Sequence, residues 1–196
     1  MTSAAPPTKR QQSSTSSVPA AKPTCKIHSL ASVADRAQLT GAHNIEVGEN
    51  TILHPHSKLK AEHGNVVIAK TCIIAEKAVV GPITPNTDTI LGEGVSIESG
   101  AQVSAKRIGE HSTIGVNATI GAGAVVGKWC KIGPLCEVGA DEVLEDFTVV
   151  YGYGERRVDS VLRDQEEMRE MRAKGRRKEV ELLKTLIPDG GARWRG

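Results

Sequence analysis

The feature that most constrains the fold of this chain is an aliphatic residue that returns at every sixth position. From residue 108 to residue 150 the run is unbroken, and a glycine directly follows most of its members. The members are Ile108, Ile114, Ile120, Val126, Ile132, Val138, Leu144 and Val150. A period of six is a multiple of the two-residue period of a strand and does not fit the 3.6-residue period of a helix. The repeat therefore predicts short strands with one face directed inward.

The same spacing recurs upstream in groups of three. The groups are Ile27, Val33 and Leu39; Val47, Leu53 and Leu59; Ile68, Ile74 and Val80; and Leu91, Ile97 and Val103. Between groups the step changes to eight, nine, eleven and finally five residues, always after a third hexad. This is expected if three hexads form one coil of a triangular prism and one corner tolerates changes in length. We predict an all-β solenoid, a parallel β-helix of about seven triangular coils, over residues 25–154.

The flanking segments differ from the repeat in composition. Residues 1–24 are rich in Ser, Thr, Pro and Ala, which predicts a disordered tail. Residues 155–188 contain strong helix formers with helical apolar spacing, so we expect a helical segment that packs on the β-helix. Gly175 is expected to separate two helices, and residues 189–196 to form a flexible end.

Charge and hydropathy exclude two classes of function. The whole chain has a formal net charge of +2, but residues 25–154 contain ten Lys or Arg against fourteen Asp or Glu, which gives −4. A basic groove for nucleic acid is therefore not expected. No run approaches the length of apolar residues that a membrane span needs. We expect a cytoplasmic protein.

The repeat accounts for most of the cysteines, which in other proteins often act as nucleophiles or metal ligands. Cys72, Cys130 and Cys136 occupy positions where other hexads have small residues, so we interpret them as core fillers. His54 and His56 are two residues apart and lack the further ligands that zinc needs. We therefore predict no catalytic residue, no cofactor and no metal site.

In most hexads a small residue lies four places after the aliphatic residue, which we call the small-residue rule. Four residues depart from this rule, and all four belong to third hexads, beside the corner of variable length. They are His43, His63, Arg107 and Glu142. We expect the coil to bulge at this corner so that these side chains turn outward.

Two surfaces are candidates for partner binding. The first coil, with Ile27 and Val33, has no apolar segment before it that could protect its strand edge. His111, Trp129 and Phe147 are spaced by eighteen residues and should stack as an outward column. The alternative for the column is that the C-terminal helix covers it.

The hexads of the form Ile-Gly-x-x-Ala-x resemble those of the hexapeptide-repeat superfamily, whose fold is a left-handed β-helix. The resemblance implies the handedness, which the spacing alone does not give. The superfamily includes gamma-class carbonic anhydrases, but Val116 and Gly121 stand where that class has its zinc-binding histidines. Anhydrase activity is therefore not expected.

The superfamily also includes acyltransferases, which place a catalytic histidine in a long loop and bind coenzyme A between the subunits of a homotrimer. The longest loop here, residues 81–89, contains no histidine, whereas His43 and His63 lie in shorter corner loops. A coenzyme A-dependent acyltransferase remains the alternative function.

Within this superfamily, most of residues 44–188 is similar to the dynactin subunit 6 family of the dynactin pointed end. The resemblance rests on Ile52-Leu53-His54-Pro55, Tyr151-Gly152, Arg156-Arg157-Val158 and the closing helix. It implies a non-catalytic, cytoskeleton-associated scaffold. Its implied partners are dynactin subunit 5, the pointed-end actin-related protein and dynactin subunit 4, and indirectly dynein and cargo adaptors.

Overall fold

The chain winds through three parallel sheets that form the sides of a triangular prism. The computed structural model describes residues 23–195. The first sheet contains seven strands: β1 (Cys25–Ile27), β4 (Ile45–Val47), β7 (Val66–Ile68), β10 (Thr89–Leu91), β13 (Arg107–Ile108), β16 (Val125–Val126) and β19 (Val143–Leu144).

The second and third sheets repeat this order. The second contains β2 (Ser32–Val33), β5 (Ile52–Leu53), β8 (Ile73–Ile74), β11 (Ser96–Ile97), β14 (Thr113–Ile114), β17 (Lys131–Ile132) and β20 (Thr148–Tyr151), followed by the antiparallel β21 (Glu155–Val158). The third contains β3 (Gln38–Gly41), β6 (Lys58–Ala61), β9 (Val79–Val80), β12 (Gln102–Val103), β15 (Thr119–Ile120) and β18 (Glu137–Val138). Together they make six complete coils and two sides of a seventh.

The predicted fold class is confirmed: the chain is an all-β parallel solenoid with the left-handed β-helix, hexapeptide architecture. The inward positions stack as the period requires, since Ile114 pairs with Ile132 and Ile132 pairs with Val150. These aliphatic side chains are fully buried and belong to one continuous core. The coils vary in length at the corner between the third and first sheets, where the extra residues were expected.

Glycines after the aliphatic positions let neighbouring coils approach each other. A Cβ atom added at Gly109 would lie 2.4 Å from the carbonyl carbon of Gly127 on the next coil. The two coils are joined there by a 2.7 Å hydrogen bond from the Gly109 N–H to the Val126 carbonyl, so neither backbone is free to move away. The glycine is needed for close contact between coils and does not cradle a phosphate.

We expect Gly109→Ala to lower the free energy of unfolding by about 1–3 kcal/mol, because the added methyl group overpacks two bonded backbones. The measurement is urea denaturation followed by circular dichroism. The matched control is Gly175→Ala, where an added Cβ meets nothing within 4 Å. There the same change should raise stability by up to about 1 kcal/mol, because alanine favours the helix. Equal effects at the two sites would contradict this account.

The C-terminal segment returns along the second sheet as two helices. Helix α1 (Ser160–Asp164) begins after Asp159, whose carboxylate accepts the Leu162 N–H at 3.1 Å. Helix α2 (Glu166–Leu186) is continuous, so the predicted break at Gly175 is wrong and the chain breaks at Gln165 instead. Burial of an apolar stripe outweighs the low helix propensity of one glycine. Neither helix of the described chain combines the length and apolar character needed to cross a bilayer.

Helix α2 is held by its contacts with the second sheet. Val180 is buried against Ile52 and Ile73, with Leu183 and Ile187 packed beside them. Of residues 155–188, which were predicted to be helical, the two helices occupy residues 160–164 and 166–186. Residues 155–158 form strand β21 instead.

The last residues differ from the expected flexible end, because residues 189–195 lie against the first coil. Asp189 accepts the Val33 N–H at 3.0 Å, and the Gly190 N–H donates to the Val33 carbonyl at 2.8 Å. Trp194, which follows a short 3-10 helix (Gly191–Arg193), packs against the end of the core. The first coil therefore does have a cover, contrary to the expectation. The predicted disordered tail comprises residues 1–24, and its first 22 residues lie outside the described part of the chain.

Candidate functional site

The prism departs most from regular geometry at the corner where the third sheet turns into the first. We call this corner the loop edge; it comprises residues 42–44, 62–65, 81–88, 104–106, 121–124 and 139–142. Its longest member, residues 81–88, stands out from the prism between β9 and β10. Most of its side chains are exposed, so it offers surface that the regular coils do not.

The protruding loop is fixed to the coil before it. The Asn86 N–H donates to the His63 carbonyl at 2.8 Å, and Asp88 accepts the Asn65 N–H at 2.8 Å. The Thr87 carbonyl oxygen lies only 1.9 Å from the place where a Cβ on Gly64 would be, so only glycine lets the loop sit this close. The loop is therefore a fixed wall.

A groove of about 650 Å³ lies between this loop and the following coils. It combines one cation with carboxylates and small apolar surfaces, and it is lined by Thr84, Asn86, Thr87, Asp88, Ile90, Lys106, Ala122, Gly123, Val125 and Asp141. Lys106 is exposed and forms none of the salt bridges found in the described chain. Its ammonium group is available to an anionic ligand.

The four residues that break the small-residue rule all lie at or beside the loop edge. The His43 imidazole bonds through Nδ1 to the Ala61 carbonyl at 3.0 Å, so one of its nitrogens is already used. His63 is exposed at the root of the protruding loop. Arg107 is also exposed and follows Lys106 directly, whereas Glu142 forms a salt bridge with Arg156. The edge therefore has an exposed imidazole at His63 and an exposed guanidinium at Arg107, but neither residue lines the groove, whose one cation is Lys106.

The predicted aromatic column exists, and helix α2 runs beside it. The rings of His111 and Trp129 are stacked, with centroids 4.3 Å apart and an interplanar angle of 22°. The guanidinium of Arg169, on α2, lies 5.9 Å from the centre of the Phe147 ring. A small cavity of about 310 Å³ remains between His111, Trp129 and the helix. Burial lowers the pKa of His111, although Glu93 and Glu110 oppose that effect.

The predicted partner residues of the first coil are less accessible than expected. Val33 is fully buried, and its backbone N–H and carbonyl are both bonded to the C-terminal tail. Ile27 is partly buried and packs against the core. Without displacement of the tail, Val33 is not a contact surface.

Cys72, Cys130 and Cys136 are buried thiols, whereas Cys25 is partly exposed. Burial raises the pKa of Cys72 to about 12 and that of Cys130 to about 11, so both stay protonated at neutral pH. Within residues 23–195, no three His, Cys, Asp or Glu side chains form a group that could hold a metal ion.

Comparison with known proteins gives one family match. Residues 105–140 match the model described as bacterial transferase hexapeptide (six repeats). The hexapeptide-repeat part of the prediction is therefore confirmed. The matches give no support to the narrower resemblance to the dynactin subunit 6 family.

Several solved structures are similar in fold. The acetyltransferase domain of PglB from Neisseria gonorrhoeae, solved with acetyl coenzyme A, is 23% identical over 70% of this chain and 58% of that chain, with a TM-score of 0.38. The UDP-N-acetylglucosamine acyltransferase of Francisella novicida is 22% identical over 65% and 57%, with a TM-score of 0.40. The N-acyltransferase AntD of Bacillus cereus, solved with an amino sugar nucleotide and coenzyme A, is 14% identical over 76% and 88%, with a TM-score of 0.49.

The chain spans less than two thirds of the length of the first two of these structures. At these identities and TM-scores the likeness shows the fold alone. The expectation that the chain is not an enzyme is contradicted by the match of residues 105–140 to a model of transferase hexapeptides.

Sequence reasoning located the protruding loop, through the eleven-residue step after Val80, but missed the groove beside it. No motif or spacing singled out Lys106. Its position in the groove depends on the packing of the loop over the next coils, which no local pattern encodes.

Proposed function

Because the chain has the repeats and the fold of the hexapeptide-repeat superfamily, we propose that it is a coenzyme A-dependent acyltransferase, active as a homotrimer, whose site is the groove at the loop edge. The observation that carries the proposal is the groove itself, which combines a rigid wall with a free cation. One side of the groove is open. In the proposed trimer, a neighbouring copy placed against the loop edge would close it.

The cations suit the donor. Coenzyme A carries several phosphate charges. Lys106 lines the groove, and the exposed Arg107 follows it in the chain, so both side chains are able to pair with phosphate oxygens of a donor that extends beyond the groove. Ile90 and Val125 line the same groove and offer apolar contact to the pantetheine arm. The donor therefore lies along the groove with its phosphates at Lys106.

The carboxylates suit the acceptor. Asp88 and Asp141 line the groove and attract a protonated amine, which favours an amine as the acyl acceptor. His63, at the root of the loop, is the candidate general base. His63 takes one proton from the ammonium group, so that the neutral nitrogen attacks the thioester carbonyl carbon. As the C–N bond forms and the C–S bond breaks, the departing thiolate of coenzyme A takes the second proton from the nitrogen and leaves as the thiol.

The test uses the full chain and acetyl coenzyme A. We expect binding by isothermal titration calorimetry, release of free thiol in the presence of amine acceptors, and the mass of a trimer by light scattering. Lys106→Glu should weaken binding of acetyl coenzyme A by about tenfold or more, because a charged hydrogen bond is lost and a repulsion is added.

The matched control for that substitution is Lys77→Glu, an exposed lysine at the corner between the second and third sheets. This variant should bind acetyl coenzyme A like the wild type. No detectable binding at millimolar ligand, or equal binding by the Lys106→Glu variant and the wild type, would overturn the proposal.

A second candidate is assembly into a dynactin-like pointed-end complex. It is favoured by one observation: the segments that carry that resemblance form a continuous unit, in which β21 pairs with β20 and α2 packs on the second sheet. The proposed partners are dynactin subunit 5, the pointed-end actin-related protein and dynactin subunit 4. Recovery of these proteins with the tagged chain from a native lysate would support this role, and their absence would refute it. This candidate makes no claim about catalysis.

A further inference from the structure

The C-terminal tail, residues 189–195, satisfies the backbone groups that the first coil leaves open. In a parallel sheet, alternate residues direct their N–H and carbonyl groups to opposite neighbours. Ser32 and Ala34 donate to the second coil, so Val33 is directed to the open end of the prism. Both backbone groups of Val33 are bonded to the tail, through Asp189 and Gly190.

Two arginines of the tail bond to further carbonyl groups of the first coil. Arg195 donates to the Ala31 carbonyl, and Arg193 donates to the carbonyls of Asp35 and Ala37. The tail thus supplies a donor and an acceptor to Val33, and further donors on both sides, as the edge of another strand would.

The tail is a partial substitute for a strand. Trp194 Nε1 and Arg195 Nε are buried and find no partner among the described residues, which reduces the stability of the closed state. Burial opposes ionisation of Asp189, but hydrogen bonds from Arg195, Val33 and Gly191 outweigh it and lower the pKa of this carboxyl. The contact between the tail and the β2 edge is therefore ionic and polar at its centre. Backbone hydrogen bonds from another strand are able to replace it.

The edge of β2 is complementary to itself. In an antiparallel pair that is symmetric about Val33, the Val33 N–H of each copy meets the Val33 carbonyl of the other, and residue 31 faces residue 35. Leu30, on the same coil, is 52% exposed and would be covered in such a pair. A two-fold axis closes the assembly at two copies, because the same patch is used on both sides.

We propose that residues 189–195 are an internal competitor for the first coil. While they occupy the β2 edge, the end of the prism is closed. When they leave it, two copies pair head to head through β2, about a two-fold axis at Val33. The surface is distinct from the loop edge, so this pairing adds to any side-by-side trimer.

The test compares the full chain with a variant that ends after Pro188. Light scattering and sedimentation across the micromolar range should show the mass of the truncated chain rising by about twofold with concentration, while that of the full chain does not change. A synthetic peptide with the sequence of residues 188–196, added in excess, should reverse the increase. Circular dichroism checks that the prism is intact.

A second variant guards against misfolding of the truncated chain. Full-length Asp189→Ala/Arg193→Ala/Arg195→Ala loosens the tail without shortening it and should also double in mass. The matched control, Arg163→Ala/Arg177→Ala, changes two exposed helix arginines and should behave as the wild type.

The site of pairing is tested in the truncated chain. Leu30→Glu places like charges across the two-fold axis and should restore the lower mass, whereas Leu135→Glu, on a distant coil, should not. A folded truncated chain whose mass matches that of the full chain at every concentration would refute the proposal. So would doubling that Leu30→Glu leaves unchanged. A failure of acyl transfer would leave this result unaffected, which keeps the two proposals separable.

Discussion

Replacing Ile114 with alanine is expected to lower the free energy of unfolding by about 3 kcal/mol. The Ile114 side chain is fully buried, and it is stacked between Ile97 on the coil before and Ile132 on the coil after. The neighbouring coils are fixed by backbone hydrogen bonds at their own spacing, so they cannot collapse into the space left by the missing atoms. Urea denaturation followed by circular dichroism measures the loss.

The matched control is Leu135→Ala. Leu135 lies on the corner of a later coil and is 78% exposed. Its truncation removes a similar number of atoms but leaves no cavity, so stability should change by less than about 0.5 kcal/mol. Similar losses at the two positions would show that the inward stack does not hold the prism together.

The interior of the prism could be predicted from the sequence because each coil repeats the same local requirement. An inward aliphatic residue, a small residue and a corner recur at a fixed spacing. Because the same pattern appears in successive coils, the assignment of one coil supports the assignment of the next. Ile114 and Ile132 could be assigned to one stack from the sequence alone, because both belong to an unbroken run with a period of six. The direction of winding came from the resemblance, since the spacing is the same for either hand.

The C-terminal segment was harder to predict because its conformation depends on contacts with distant residues. Gly175 suggested a break in the helix, but Val180 and Leu183 pack on the second sheet beyond it and keep the helix continuous. The polar residues after Pro188 looked like a flexible end. They are ordered because the first coil, more than 150 residues away, offers unpaired backbone groups.

The candidate site was predicted only in part. The irregular step after Val80 located the protruding loop, and the broken small-residue rule located His63 beside it. Lys106 and Asp141 were not singled out, because they line one groove only when the coils stack beside the loop. The absence of a histidine within the loop and the resemblance to a non-catalytic family led to the expectation that the chain is not an enzyme, which the match to the transferase hexapeptide model contradicts.

His63→Asn is expected to lower kcat for acyl transfer by about a hundredfold or more, since it removes the proposed general base. The KM for acetyl coenzyme A should stay close to that of the wild type, because the phosphates are held at Lys106 and not at His63. Thiol release in the presence of an amine acceptor is the measurement, and it rests on the proposed function.

The matched control is His56→Asn, which changes a histidine at the corner between the second and third sheets. Asparagine tolerates the left-handed backbone found at residue 56, where φ is 61°, so the fold should be undisturbed. This variant should retain the wild-type kcat. If His63→Asn retained it as well, a group other than this imidazole would have to accept the proton, and the loop edge would be left with binding residues but no base.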